Sequence, residues 1–202
     1  MDQRREKRQN NQRENSHERT KKLTLAAMFF ALGIVLPFWI GQIPAIGKVL
    51  LPMHIPVLLC GLIVGWKYGL AVGFLLPVVR GMLFGMPKLF PNGMAMALEL
   101  GTYGLVIGLV YGHSKWKCML ALYRSLITAM IAGRLVWAAA EVVLLGVTGS
   151  AFTWQMFVAG AFLNAIPGII LQLVLIPTVM AALNRANVLK FSRPDALREN
   201  AQ

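Results

Sequence analysis

From Leu23 onward the sequence is a succession of apolar runs of about 17 to 25 residues, each the length a helix needs to cross about 30 Å of hydrocarbon at about 1.5 Å per residue. The runs fall at 23–42, 49–65, 68–86, 93–112, 122–147 and 154–183, so an all-α membrane bundle of six transmembrane helices is expected. An even number of spans places both termini on one side. The last two runs exceed a single crossing, and tilt or kinks at Pro167 and Pro177 are expected to absorb the excess. Between the fourth and fifth runs, "GHSKWKCMLALYR" reads as a short interfacial helix with Trp116 and Tyr123 at headgroup level.

Composition agrees, because 57% hydrophobic and 14% charged residues cannot be covered by the water-facing surface of a 202-residue globule. The net charge of +12 would suit nucleic acid, but the basic residues gather at the two ends and in short connections, where membrane topology requires them. With the N-terminus inside, sixteen Lys and Arg face the cytoplasm and only Lys48 and Lys88 lie outside, while Arg80 and Arg134 sit within spans. That imbalance predicts an N-in, C-in arrangement in a cell membrane, with no nucleic-acid partner; the membrane is expected to be a bacterial plasma membrane.

Residues 1–22 are polar and mixed in charge, have no apolar residue after Met1, and are expected to be a disordered cytoplasmic tail rather than a signal peptide. The transmembrane domain then covers 23–185 and a second cytoplasmic tail 186–202. Cys60 and Cys118 lack CxxC or Cys/His spacing, so neither a disulfide framework nor a metal site is expected.

Polar groups inside the spans carry the functional signal. A charge at the bilayer centre costs about 2.5–3.5 kcal/mol on insertion scales, so such residues face a bundle interior or a wet cavity. In the assumed topology His54, Arg80, Glu99, Arg134, Glu141 and Asn164 all lie between the midplane and the external face. Arg80 with Glu99 and Arg134 with Glu141 could be register-fixing pairs. Buried pairs stabilise weakly, however, and several together are better explained by a pocket for a small polar molecule. The Pro/Gly-rich connections "WIGQIPAIGKVLLP" and "GMPKLFPNG", with Trp39, Gln42, Phe90 and Asn92, could be lids over it or ordinary turns. Gly61, Gly65, Gly69, Gly73, Gly104, Gly108 and Gly112, spaced by fours, read as close-packing helix faces, whereas Ala27-x-x-x-Ala31 could dock an intramembrane partner.

Six spans in about 200 residues, the basic N-terminus, Ala27-x-x-x-Ala31, and "LPMHIPVLLCGLIVGWKYGLAVGFLLPVVRGML" across the second and third spans together resemble the substrate-binding S components of energy-coupling factor (ECF) vitamin transporters. The resemblance covers about 23–185. It implies capture of a vitamin or precursor from outside, in a pocket of outer-half residues capped by loops. It also implies docking through Ala27 and Ala31 on a transmembrane T subunit driven by two cytoplasmic ATPases.

The residues fit a binding protein without catalytic or cofactor machinery: there is no G-x-x-x-x-G-K-[ST], H-E-x-x-H or G-x-S-x-G sequence. Two arginines at pocket depth could fork onto a carboxylate, which favours a small acidic ligand such as pantothenate; niacin, pyridoxine, a thiamin precursor, folate and riboflavin stay open. The competing reading is a self-sufficient carrier of a small polar metabolite coupled to protons through Glu99 or Glu141. The charge asymmetry makes a direct prediction for a cysteine-free background. Lys88→Cys should react with a membrane-impermeant maleimide in intact cells, and Lys67→Cys only after permeabilisation; the reverse pattern would invert the bundle.

Overall fold

The computed structural model describes residues 2–40, 52–114, 118–147 and 166–186. They form α1 (Asp2–Ile40), α2 (His54–Ile63), α3 (Trp66–Phe84), a π-type turn at Leu89–Gly93, α4 (Met94–His113), α5 (Met119–Val147) and α6 (Ile166–Arg185). Among the described residues, five helices are long and apolar enough to cross a membrane, and α2 is a shorter apolar helix. The expected all-helical bundle is the observed one, and no strand occurs among the described residues.

Several boundaries differ from the sequence expectation, each for a local reason. The basic segment expected to be disordered continues α1 as helix from Asp2. Its Glu, Gln, Lys and Arg content favours helix without any core, and Glu18 supports Lys22 at i,i+4 across 3.5 Å. Among described residues α2 is only ten long, since Gly65 at φ 113° turns the chain directly into α3. Among the described residues, Met119 to Tyr123, expected in a separate interfacial helix, belong to α5. Trp116, Gln42, Asn164, the start of the sixth run and the tail from 187 lie outside the described residues.

α2 is buried from His54 to Leu62 on all sides, as a sequence apolar everywhere after His54 requires, and it separates two apolar clusters. One face carries Ile55, Leu58, Leu59 and Leu62 against Tyr103, Ile107 and Tyr111 of α4, Leu122, Leu126 and Met130 of α5, and Ile176 and Met180 of α6. The other carries Val57, Cys60 and Val64 against Ala26 of α1, Val72 and Leu76 of α3, and Leu100 of α4. The outward faces are apolar too, with Met82 73% and Leu120 71% exposed, which suits lipid as the surrounding solvent. Exposed Thr102, Thr128 and Thr178 donate their hydroxyls to the carbonyls four residues back, at 2.7 Å in each case, so no polar hydrogen is left facing hydrocarbon.

α3 and α4 run antiparallel at backbone contact. Cβ atoms placed on Gly69 and Gly104 would each overlap the other's carbonyl oxygen, one placed on Gly73 would overlap the Leu100 carbonyl, and one on Gly108 would lie 2.5 Å from the Trp66 Cα. α2 joins the same seam, since a Cβ on Gly61 would approach the Gly104 oxygen to 2.7 Å. Without a hydrophobic drive in lipid, association depends on this kind of approach. Gly112 differs, having nothing within 4 Å of its added Cβ. Gly104→Ala should therefore destabilise the detergent-purified protein by about 1–3 kcal/mol, because backbone cannot move aside as a side chain can. Gly112→Ala should leave the thermal midpoint unchanged when both are measured by fluorescence-detected gel filtration.

Candidate functional site

Each helix around the first apolar cluster carries a polar residue one step beyond it. His54 opens α2 immediately before Ile55, Glu99 lies one turn before Tyr103 on α4, Arg134 one turn after Met130 on α5, and Gln172 one turn before Ile176 on α6. The helix register thus stacks a polar layer on an apolar one. His54, Glu99 and Gln172 are 1%, 3% and 1% exposed.

Glu99 is the hub. Its Oε1 lies 3.2 Å from Arg134 Nη1 and 3.7 Å from His54 Nε2. The Arg134 contact is an ion pair by distance, but the N–H is not aligned on the oxygen, and Oε1 has no hydrogen-bond donor among the described residues. Tyr103 closes the inner side: its ring meets the His54 ring edge-on at 5.1 Å. Gly133, beside Arg134, makes room for that ring, since a Cβ there would sit 3.0 Å from Tyr103 Cε2. Glu141 lies two turns along α5 from Arg134 and is 5% exposed.

The pairing expected from sequence is therefore revised. Arg134 pairs with Glu99 rather than with Glu141, because seven residues along a helix separate the two α5 side chains by about 10 Å. Arg80 does not pair with Glu99. Leu76 packs on Gly33 of α1, and Arg80, one turn further, follows the same face to Phe38, its guanidinium carbon 5.5 Å from the ring centre. There Arg80 caps the second apolar cluster, with Nε and Nη1 buried and without hydrogen-bond partners among the described residues. Asn92 lies exposed in the π-type turn that leads into α4.

The layer is short of acceptors. Among the described residues, Nε and Nη2 of Arg134, Nε2 of Gln172 and one ring nitrogen of His54 are buried donors without hydrogen-bond partners, against Glu99 Oε1 and the other His54 nitrogen as acceptors. Buried polar groups ordinarily find partners, so a set of unmatched donors on helices that enclose one layer is fitted to receive an acceptor-rich molecule. Tyr103 and Gln172 escaped the sequence reading. Gln172 had a visible signal, a lone amide in "GIILQLVLIP" at four-residue spacing from Ile176; Tyr103 had none, being one more aromatic residue in an apolar helix. No group of side chains suited to a metal ion occurs among the described residues.

Comparison with known proteins adds the family. The family model for the substrate-specific component of ECF transporters matches residues 21–180, from the last residues of the basic segment to the core-facing turn of α6. No curated protein and no solved structure matches the chain. Together with the multi-pass helical bundle, a match over well over half of the sequence shows that the chain belongs to the ECF transporter family of substrate-specific S components.

Proposed function

We propose that this S component captures a small acidic, hydroxylated vitamin or vitamin precursor, with pantothenate the leading candidate, between the outer turns of α2, α4, α5 and α6. The observation that supports this reading is the excess of buried, unmatched donors over acceptors in the polar layer. A ligand carboxylate would engage Arg134 Nε and Nη2, the edge of the guanidinium left over from the Glu99 pair, in the fork geometry that arginine suits. Gln172 Nε2 and His54 would donate to its carbonyl or hydroxyl oxygens. Glu99 would hold Arg134 in place and, with Glu141, accept from ligand hydroxyls. Arg80 is a second anion-attracting group on the α1 side, and exposed Asn92 is assigned to the entrance.

S components of this family bind small molecules and work with a T subunit and ATPases. In this chain we assign the T-subunit contact to Ala27 and Ala31. Both lie exposed on α1, beside exposed Leu23 and Val35, so the ridge is shallow enough for a partner helix to approach closely.

Two measurements test these assignments. Mass spectrometry of small molecules that co-purify with the protein, followed by calorimetric titration, should identify an anionic ligand. Arg134→Gln should weaken its binding at least about 30-fold, the effect of removing one partner from a buried charged contact worth about 2 kcal/mol or more. Arg80→Ala should also weaken it; normal affinity in both variants would remove the anion site. In contrast, Ala27→Leu with Ala31→Leu should bind ligand normally, lose co-purification with the T subunit and abolish uptake. Unchanged uptake in that double variant would sink the docking assignment.

A further inference from the structure

His54 stands at the start of α2, is 1% exposed, and has both ring nitrogens buried without hydrogen-bond partners among the described residues. Imidazole changes charge between about pH 5 and 8, so its surroundings decide which form is present. On α4, Glu99 Oε1 lies 3.7 Å from His54 Nε2, and the Tyr103 ring crosses the imidazole at 74° with centres 5.1 Å apart. On α5, Arg134 Nη1 lies 3.2 Å from the same Glu99 oxygen, and Glu141 stands two turns further along. α6 contributes the uncharged Gln172, and α1 has no titratable side chain from Leu23 to Ile40. Arg80 of α3 sits against Phe38, at the end of the other apolar cluster.

Both nitrogens of an imidazolium donate, and a charged ring that lacks acceptors is costly to bury. Among the described residues the one carboxylate at ion-pairing distance from the ring is Glu99, whose charge Arg134 already balances. Without a ligand the neutral ring is therefore favoured. A ligand carboxylate changes that balance twice over. It gives the second nitrogen an acceptor, and it leaves Arg134 as one positive charge shared between two negative ones. We infer that capture of an acidic ligand is coupled to uptake of one proton by His54, which enters the complex as an imidazolium between Glu99 and the ligand carboxylate. This rests on the anionic-ligand reading of the site and makes the proton a co-ligand. The proton comes from solvent and no other bond is made or broken. Because the complex holds one more proton than the free protein, affinity rises as pH falls through the range in which the free ring titrates.

The full-length protein in detergent is titrated calorimetrically with pantothenate, and with nicotinate as a second carboxylate, in buffers of different ionisation enthalpy at about pH 7.5. About one proton should be taken up per ligand bound, and affinity should rise by up to about ten-fold for each unit of pH between about 8 and 6. His54→Gln keeps an amide donor but gains no charge; it should take up no proton and flatten the pH profile, whereas Glu141→Gln should keep both. The chain has three histidines, and His17 and His113 are exposed, so nitrogen-15 histidine labelling reports on His54 without any substitution. On addition of ligand one ring should pass from a neutral tautomer to imidazolium. Binding with no proton taken up, a His54 ring already charged before ligand is added, or loss of uptake in Glu141→Gln instead of His54→Gln would overturn the inference and leave the anion site standing. Binding of neither carboxylate would overturn both.

Discussion

A carboxylate that is 3% exposed inside a membrane bundle has to be neutralised by its neighbours, and Glu99 organises this protein around that requirement. Arg134 supplies the charge from α5 and His54 a ring nitrogen from α2, so three helices are tied to one side chain. The tie works because an apolar layer beneath it fixes their heights. Tyr103, Ile107, Met130 and Ile176 pack together, and the next position on each helix is carried to the same level. Chemistry at the polar layer is thus set by side-chain packing one turn away.

Neutralisation is incomplete as hydrogen bonding. Among the described residues, the Arg134–Glu99 approach satisfies charge but leaves Nε and Nη2 of the guanidinium unmatched, along with the His54 nitrogens and the Gln172 amide. A core built only for stability would have replaced these groups with apolar residues, since buried ion pairs seldom outperform them. A binding subunit has a reason to keep them, since in the proposed function the ligand completes the set. The family assignment and the unmatched donors are independent observations that meet in that explanation.

The spans could be read from sequence because the transfer cost of a charged or polar residue into hydrocarbon is large, so helix length and flanking charge are written in composition. The glycine seam was equally legible: spacing by four on α2, α3 and α4 marks faces without side chains, and Gly61, Gly69, Gly73, Gly104 and Gly108 all lie in backbone contact. Side-chain partners were not. Which charge meets which depends on helix rotation. Leu76 against Gly33 turns Arg80 towards Phe38, and no one-dimensional pattern records that rotation. The basic N-terminal segment misled for the opposite reason, since lack of a core removes tertiary support but not intrinsic helix propensity.

The seam between α3 and α4 has a mechanical side. Where two helices meet through side chains, rotamer changes can absorb a displacement; where Gly69 meets Gly104 through main-chain atoms, there are no rotamers to yield. A push on α3 is therefore delivered to α4 undamped, and Glu99, little more than one turn from Gly104, travels with it. The hairpin behaves as a stiff lever, and adjustment within the bundle falls to helices that meet their neighbours through side chains, such as α1 where Phe29 and Leu36 pack on the core.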